Sequence, residues 1–213
     1  MVNIGVLISG NGTNLQAIID GIDKGIINGR IKVVISNRKD AYGLTRASKA
    51  NIESIYLDPK ECDAITYDRK ILHELKKRDV DLVVLAGYLR ILSKKFIEEY
   101  KNRIINIHPS LIPSFCGKGY YGDRVHSAVL EYGVKYTGAT VHFVDEGTDT
   151  GPIILQEVVK IDDHDTVDTL KEKVLEVEHK LLVQAIELFC QNKLSIKGRL
   201  VRIRSEENEK SID

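Results

Sequence analysis

The stretch from residue 3 to residue 37, NIGVLISGNGTNLQAIIDGIDKGIINGRIKVVISN, contains an apolar run, a glycine-rich turn, an amphipathic segment and a second apolar run. The alternation continues, with apolar runs at 53–58, 81–87 and 103–108 and amphipathic segments at 43–51 and 67–78. Uninterrupted apolar strands separated by helical segments are typical of a parallel sheet with helices on both faces. We therefore predict an α/β fold with a doubly wound, mostly parallel, Rossmann-like sheet.

The second half of the chain is predicted to extend this sheet. After the proline- and glycine-rich loop 108–123, the patterns predict a helix at 123–132, strands at 138–144 and 152–160, a helix at 166–192 and a last strand at 199–203. No internal repeat or linker interrupts them, so we expect residues 1–204 to form a single domain. The charged tail 205–213, SEENEKSID, lacks apolar anchors and is expected to be disordered.

The composition argues against several classes of function. Lys and Arg number 31, as do Asp and Glu, so no net charge favours nucleic acid or an anionic membrane as a partner. No apolar run approaches the roughly 20 residues that span a bilayer, and the start has no signal-peptide pattern, so we expect a cytoplasmic protein. Three cysteines, Cys62, Cys116 and Cys190, show neither CxxC nor Cys/His spacing, which predicts reduced thiols and no metal site.

The first candidate site is the glycine-rich turn in SGNGTNLQAII, residues 9–19. Gly10 and Gly12 permit a tight turn, backbone N–H groups at the start of a helix point outward, and Thr13 and Asn14 add side-chain donors. Such a turn can hold a phosphate or a carboxylate, although it matches neither the Walker A nor the GxGxxG pattern. The turn alone is equally compatible with glycines that only reverse the chain and an Asn14 that caps the helix.

The second candidate site is NIHPS, residues 106–110. Asn106 and His108 are two residues apart on a predicted strand, so their side chains point to the same face at its end. An amide beside an imidazole can polarise a carbonyl, stabilise a tetrahedral oxyanion and transfer a proton. Taken alone, however, a histidine before a proline is more often structural than catalytic.

The third candidate site is the acidic loop in VDEGTDTGPIILQ, residues 144–156. By themselves, Asp145, Glu146 and Asp149 are ordinary loop charges or turn formers. A carboxylate beside His108 would stabilise the imidazolium, and for such a pair we expect the pKa of His108 to lie above its usual value of about 6.5. The spacing in the sequence does not establish this contact.

Taken together and in order, these segments resemble the glycinamide ribonucleotide formyltransferase family over about residues 3–192. The resemblance rests on SGNGTNLQAI, SNR, LAGYLRILS, NIHPSLIPSF, GATVHFVDEGTDTGPIILQ and EHKL. It implies an enzyme of purine biosynthesis that transfers a formyl group from 10-formyltetrahydrofolate to the amine of glycinamide ribonucleotide, without a metal. These two small molecules are then the expected partners, nucleic acid and membrane are not, and a homodimer remains open.

The resemblance also implies roles for individual residues. The implied catalytic residues are Asn106, His108 and Asp149. The implied nucleotide contacts are Gly12, Thr13 and Asn14 for the phosphate and Glu178 for the glycinamide end. The implied folate contacts are Leu89, Arg90, Ile91, Leu92, Asn106, Asp145, Glu146, Gly147, Thr148 and Asp149. Related enzymes often carry an arginine at the place of Ala64, so the glutamate end of the folate either lies in solvent or meets another cation such as Lys60 or Arg69.

Other functions are compatible with parts of this pattern. Methionyl-tRNA formyltransferase shares this type of core, but it is expected to carry a further C-terminal nucleic-acid-binding domain and a basic surface. Formyltetrahydrofolate hydrolase shares the three catalytic residues, but it usually begins with a regulatory domain. A non-catalytic nucleotide- or folate-binding module would not need Asn106, His108 and Asp149 together, and a dinucleotide-binding protein would need the glycine fingerprint that is missing here.

Overall fold

The computed structural model describes residues 1–204, which contain nine strands and six helices. The strands are β1 (Val2–Ile8), β2 (Gly29–Ser36), β3 (Ser54–Tyr56), β4 (Leu82–Leu85), β5 (Ile104–His108), β6 (Tyr136–Phe143), β7 (Ile153–Lys160), β8 (Leu194–Lys197) and β9 (Leu200–Ile203). The helices are α1 (Thr13–Asp23), α2 (Tyr42–Lys49), α3 (Ala64–Lys76), α4 (Lys94–Glu99), α5 (Asp123–Tyr132) and α6 (Val167–Cys190). Strands and helices alternate as far as α5, as the sequence predicts except for α4.

The nine strands form one sheet in the order β3-β2-β1-β4-β5-β6-β7-β9-β8. The strands from β3 to β5 in this order are parallel, whereas β6 runs antiparallel to β5 and β7 antiparallel to β6. The predicted mostly parallel α/β sheet is therefore confirmed, with an antiparallel extension on one side. The order of the strands reverses between β1 and β4, and in open sheets of this kind a crevice forms there, beyond the carboxyl ends of the strands.

Two apolar clusters cover the opposite faces of the sheet. Because successive strand residues point to opposite faces, Val84 of β4 lies in the cluster that includes residues of α1, α2, α5 and α6, and its neighbour Val83 lies in the cluster with α3 and α4. Strands buried on both faces must be apolar at every position. This requirement explains why the uninterrupted apolar runs predicted the central strands.

The ends of several elements differ from the prediction. α3 begins at Ala64, earlier than the predicted 67, because the Asp63 carboxylate accepts hydrogen bonds from the N–H groups of Ile65 and Thr66 at 2.9 and 3.0 Å. The sequence analysis missed α4 and β8, which have only six and four residues and so show no clear period.

No helix within residues 1–204 is long and apolar enough to cross a bilayer. The tail 205–213, predicted to be disordered, lies outside the described residues.

Candidate active site

A cavity of about 580 Å³ lies at the carboxyl ends of β1, β4 and β5. Its walls come from the loops that follow these strands, from the acidic loop between β6 and β7, and from α6. Every site residue that the sequence analysis names lines this cavity: Gly12, Thr13, Asn14, Leu89, Arg90, Ile91, Leu92, Asn106, His108, Asp145, Glu146, Gly147, Thr148, Asp149 and Glu178. The fold therefore brings all three candidate sites into one place.

The glycine-rich turn presents the start of α1 to the cavity. Gly12 begins the helix in a left-handed conformation, with φ +73°, and a Cβ there would lie 2.7 Å from the Cα of Gly43. Glycine is thus required both by the backbone angle and by the close approach of α2. No side chain caps α1, so the alternative that Asn14 caps the helix is wrong. The uncapped first turn leaves N–H groups that can bind an anion.

Asn14 and Glu178 both line the cavity beside this turn. Glu178 comes from α6 and is 8% exposed, and its burial raises its pKa to about 8 even though the Asn14 side chain favours the charged form. The carboxyl group is therefore mostly protonated at neutral pH when no ligand is bound. Asn14 Oδ1 is also buried and has no hydrogen-bond partner among the described residues. An unpaired amide oxygen beside a buried carboxyl group at a cavity wall favours a polar ligand.

The loop after β4 presents backbone groups to the cavity. Residues 86–93 have no regular secondary structure, and within the described chain the N–H and C=O groups of residues 90–92 make no hydrogen bond. Free N–H and C=O groups at a cavity wall can pair with the donors and acceptors of a flat heterocycle. Neither of the two cations considered for the glutamate end of the folate, Lys60 and Arg69, lines the cavity, whereas Arg90, expected as a pterin contact, does.

His108 lies at the end of β5 and is 4% exposed. Its Nε2 is 2.9 Å from the backbone oxygen of Phe115, and because a carbonyl can only accept, Nε2 carries the hydrogen. Its Nδ1 lies 3.5 Å from Asp149 Oδ2. The spatial pairing of His108 with a carboxylate, which the sequence spacing could not establish, is therefore present.

Asp149 is held in place by its backbone and by its contacts. It adopts a left-handed conformation with φ +57°, and its Oδ2 accepts a hydrogen bond from the N–H of Gly117 at 2.9 Å. Burial opposes the charge on this carboxylate, but the nearby His142 ring, the charge interaction with His108 and the Gly117 N–H together lower its pKa. Asp149 therefore carries a negative charge at neutral pH.

The expected direction of the His108 pKa is wrong. Burial lowers the pKa of His108 below its usual value, and this effect outweighs the neighbouring Asp149 carboxylate and the Phe115 carbonyl, both of which raise it. The sequence analysis identified the anion correctly but did not include the cost of burying a charged ring. His108 is therefore mainly neutral at pH 7 in the free protein.

The sequence analysis missed His142, which orients Asn106. The two residues face each other across the antiparallel pair β5 and β6, with Asn106 Nδ2 3.1 Å from His142 Nε2. The Nδ1 of His142 lies 2.8 Å from the backbone oxygen of Phe143, so in neutral His142 it is the donor and Nε2 accepts from Asn106. His142 Nε2 is also 3.7 Å from Asp149 Oδ1. The sequence does contain a signal for this role, because His142 is a histidine inside an otherwise apolar strand that leads to the acidic loop.

Two other acidic residues of the loop have local structural contacts. Asp145 Oδ1 accepts hydrogen bonds from the Gly147 N–H at 3.1 Å and from the Thr150 hydroxyl at 2.5 Å. Glu146 forms an exposed ion pair with Lys94 at 3.2 Å. The turn-former interpretation therefore holds for the Asp145 side chain, although the loop as a whole lines the cavity. Further wall residues without an expected role are Lys118, Tyr120, Tyr121, His126 and Lys171.

The chain matches the family model described as Formyl transferase over residues 2–186. It is 42% identical to phosphoribosylglycinamide formyltransferase of Escherichia coli (strain K12), and the match covers 92% of this chain and 90% of that protein. The crystal structure of glycinamide ribonucleotide transformylase 1 from Symbiobacterium toebii superposes with a TM-score of 0.92 at 47% identity, covering 96% of this chain and 95% of that one. Both comparisons extend over nearly the full length of each chain.

Other relatives are longer than this chain. It spans 66% of a chloroplastic phosphoribosylglycinamide formyltransferase from Arabidopsis thaliana, at 38% identity, and 19% of the trifunctional purine biosynthetic protein adenosine-3 from Gallus gallus, at 41% identity. A formyltetrahydrofolate deformylase from Pseudomonas syringae has the same fold, with a TM-score of 0.86 but only 25% identity, and this chain covers 66% of it. The chain belongs to the formyl transferase family and, within it, to the phosphoribosylglycinamide formyltransferases.

Proposed function

We propose that this chain transfers the formyl group of 10-formyltetrahydrofolate to the amine of glycinamide ribonucleotide, in de novo purine synthesis. The observation that carries this proposal is the group formed by Asn106, His108 and Asp149, which lies in the same cavity as an anion-binding turn and an edge of free backbone groups. The anion-binding turn suits the phosphate of the nucleotide, and the free backbone groups suit the pterin of the folate.

The reaction needs a stabilised oxyanion. The neutral amine attacks the formyl carbon, and the carbonyl oxygen gains a negative charge in the tetrahedral intermediate. One N–H of the Asn106 amide is directed at His142, so the other is free to donate to this oxygen. A single donor of this kind, placed in advance, typically contributes about 2.7 to 4 kcal/mol to the transition state.

His108 and Asp149 are proposed to handle the charge and the proton. The attacking nitrogen loses a proton as the new C–N bond forms, and the leaving folate nitrogen gains one as the old C–N bond breaks. His108 is neutral in the free protein, but an oxyanion beside it would add to the charge of Asp149 and favour the protonated ring. The proton would enter at Nδ1, since Nε2 already carries the hydrogen that faces Phe115.

The substrate contacts follow from the chemistry of the walls. Gly12, Thr13 and Asn14 are proposed to bind the phosphate, and Glu178 the glycinamide end. The backbone of residues 89–92, which we call the 89–92 segment, is proposed to bind the pterin together with the loop 145–149. Reaction without a metal, a cytoplasmic location and the oligomeric state stay predictions.

A hydrolase is the second candidate, because the deformylase from Pseudomonas syringae shares the fold. The test is to incubate the purified chain with 10-formyltetrahydrofolate, with and without glycinamide ribonucleotide, before and after exhaustive treatment with a chelator. We expect equal amounts of formylated nucleotide and tetrahydrofolate, at a rate that the chelator does not change. Release of formate without the nucleotide would identify a hydrolase, and a loss of rate that Zn²⁺ or Mg²⁺ restores would contradict the metal-free mechanism.

A further inference from the structure

We propose that Ser9 and Asp68 are positioning residues that hold the two ends of the 89–92 segment, a role that rests on the proposed function. The N–H of Leu89, at the first end, donates to Ser9 Oγ at 2.9 Å. The N–H of Ser93, directly after the second end, donates to Asp68 Oδ2 at 2.6 Å. Ser9 is 1% exposed and Asp68 5%, and neither lines the cavity, so both act through the segment and not on a ligand.

The segment between these two bonds has little else to define its shape. Its remaining backbone groups make no hydrogen bond within the described chain, and two of its apolar side chains, Leu89 and Ile91, are 55% and 71% exposed. Leu92 is buried, and the Arg90 guanidinium lies 4.9 Å from the centre of the Tyr67 ring. A stretch with exposed side chains and free backbone groups keeps one conformation only if its ends are fixed.

Buried side chains are suited to this task. Both acceptors belong to buried residues and both hydrogen bonds are partly buried, so water competes with them only weakly, and loss of the oxygen would remove the protein partner of the N–H. Asp68 also belongs to α3, so the second end of the segment is tied to a helix that packs on the sheet. The position of the proposed pterin edge is thereby fixed to two rigid elements.

Ser9 also links the two substrate regions. It follows β1 directly and precedes Gly10, which lines the nucleotide side of the cavity. The same residue therefore ends the strand that carries the phosphate-binding turn and holds the start of the 89–92 segment. Because productive transfer requires the amine and the formyl carbon to meet at near contact distance, a fixed spacing between these two regions favours the reaction.

The experiment compares Ser9→Ala with Ser36→Ala. Ser36 is a matched control, since it is fully buried, lies at the end of the neighbouring strand β2, and accepts a hydrogen bond from the N–H of Arg38 at 3.0 Å, outside the cavity. We expect Ser9→Ala to speed hydrogen exchange at the Leu89 amide and to raise the KM for 10-formyltetrahydrofolate about five- to tenfold. The KM for glycinamide ribonucleotide should change less than twofold, kcat should fall because the spacing of the two substrate regions is less well fixed, and Ser36→Ala should change neither the folate KM nor kcat.

Asp68 is tested by loss and by rescue. Asp68→Ala should speed exchange at the Ser93 amide and raise the folate KM by a similar factor, whereas Asp68→Asn, whose amide oxygen can still accept, should restore both. Asp81→Ala is the control for loss of a carboxylate acceptor away from the cavity, because the exposed Asp81 Oδ2 accepts the N–H of Asn3 at 2.9 Å at the opposite end of β1. Equal rises in the two KM values, or exchange at Leu89 and Ser93 as slow as in the wild type, would overturn the proposal.

The exchange rates and the Kd of tetrahydrofolate do not depend on turnover. If the wild-type chain made no formylated nucleotide, the proposed function would fail on its own. In that case, faster exchange at Leu89 in Ser9→Ala and at Ser93 in Asp68→Ala, together with weaker binding of tetrahydrofolate than in the wild type, would still support the positioning role. A Kd for tetrahydrofolate that is unchanged in both variants would refute it.

Discussion

The charge on His108 is set by two opposing effects. Burial of the ring disfavours the imidazolium, and the Asp149 carboxylate 3.5 Å from Nδ1 favours it. Burial is the larger effect in the free protein, so His108 is mainly neutral until a second negative charge arrives. The arrangement is suited to a reaction in which such a charge develops only in the transition state.

Asp149→Asn should lower kcat on the order of 100-fold with little change in either KM, because the carboxylate acts mainly in the transition state. The substitution removes the negative charge of Asp149, which raises the pKa of His108, so the His108 pKa should fall further below its wild-type value. A histidine titration by NMR in both proteins measures this shift. A His108 pKa that stayed the same or rose in the variant would contradict the pairing.

The raised pKa of Glu178 predicts how the free energy of unfolding depends on pH. Its carboxyl pKa is about 8 in the folded chain and near 4.5 when unfolded, so between these values the folded state binds more protons. The contribution of Glu178 to stability is therefore largest below about pH 4.5 and decreases as the pH rises towards 8. Glu178→Gln should remove this decrease, which urea unfolding at several pH values can measure.

Binding of the two substrates provides a second measurement on Glu178→Gln. Glycinamide ribonucleotide should bind less tightly to Glu178→Gln while the folate KM stays close to that of the wild type. A pH dependence of unfolding that is identical in the two proteins would show that Glu178 has an ordinary pKa.

At the scale of the element, the start of α1 depends on the left-handed angle of Gly12. Gly12→Ala should raise the KM for glycinamide ribonucleotide more than tenfold, since the new Cβ collides with Gly43 and shifts the turn, while the folate KM changes little. Gly25→Ala is the matched control, because Gly25 follows α1 with a similar φ of +71° and no atom within 4 Å of its new Cβ. Both variants should lose about 1 kcal/mol of unfolding free energy from the backbone angle.

Steady-state kinetics and urea unfolding of the two variants separate these effects. A nucleotide KM that is equally raised in Gly25→Ala would show that general loss of stability, and not the shape of the turn, weakens binding.

At the scale of the whole molecule, the two apolar clusters share a single sheet. Phe96 is fully buried in the cluster with α3 and α4, and Phe96→Ala should cost about 3 to 5 kcal/mol. If residues 1–204 form one domain, this loss must lower the unfolding midpoint of both clusters together. Ile18 and Ile71 lie in different clusters. Within each protein their folded-state methyl signals should disappear at one common temperature, and this temperature should be lower in Phe96→Ala than in the wild type. Two separate transitions would contradict a single domain.

The fold class and the positions of the three candidate sites could be predicted from the sequence alone. Apolar runs such as 81–87 predict buried parallel strands because both of their faces must be covered. These features depend on local pattern and chain order. The short elements α4 and β8 were not predicted. α4 depends on the Ser93 cap and β8 on pairing with β9 more than on the periodicity of their own apolar residues.

The interactions between the site residues could not be predicted from the sequence, because they depend on the folded arrangement of the chain. The contact between His108 and Asp149 joins residues 41 positions apart in the chain, and the orientation of Asn106 by His142 depends on the register of β5 against β6. The pKa of His108 likewise depends on how deeply the packed chain buries the ring. Distance, register and burial arise from packing between remote segments, and the order of residues along the chain does not encode them locally.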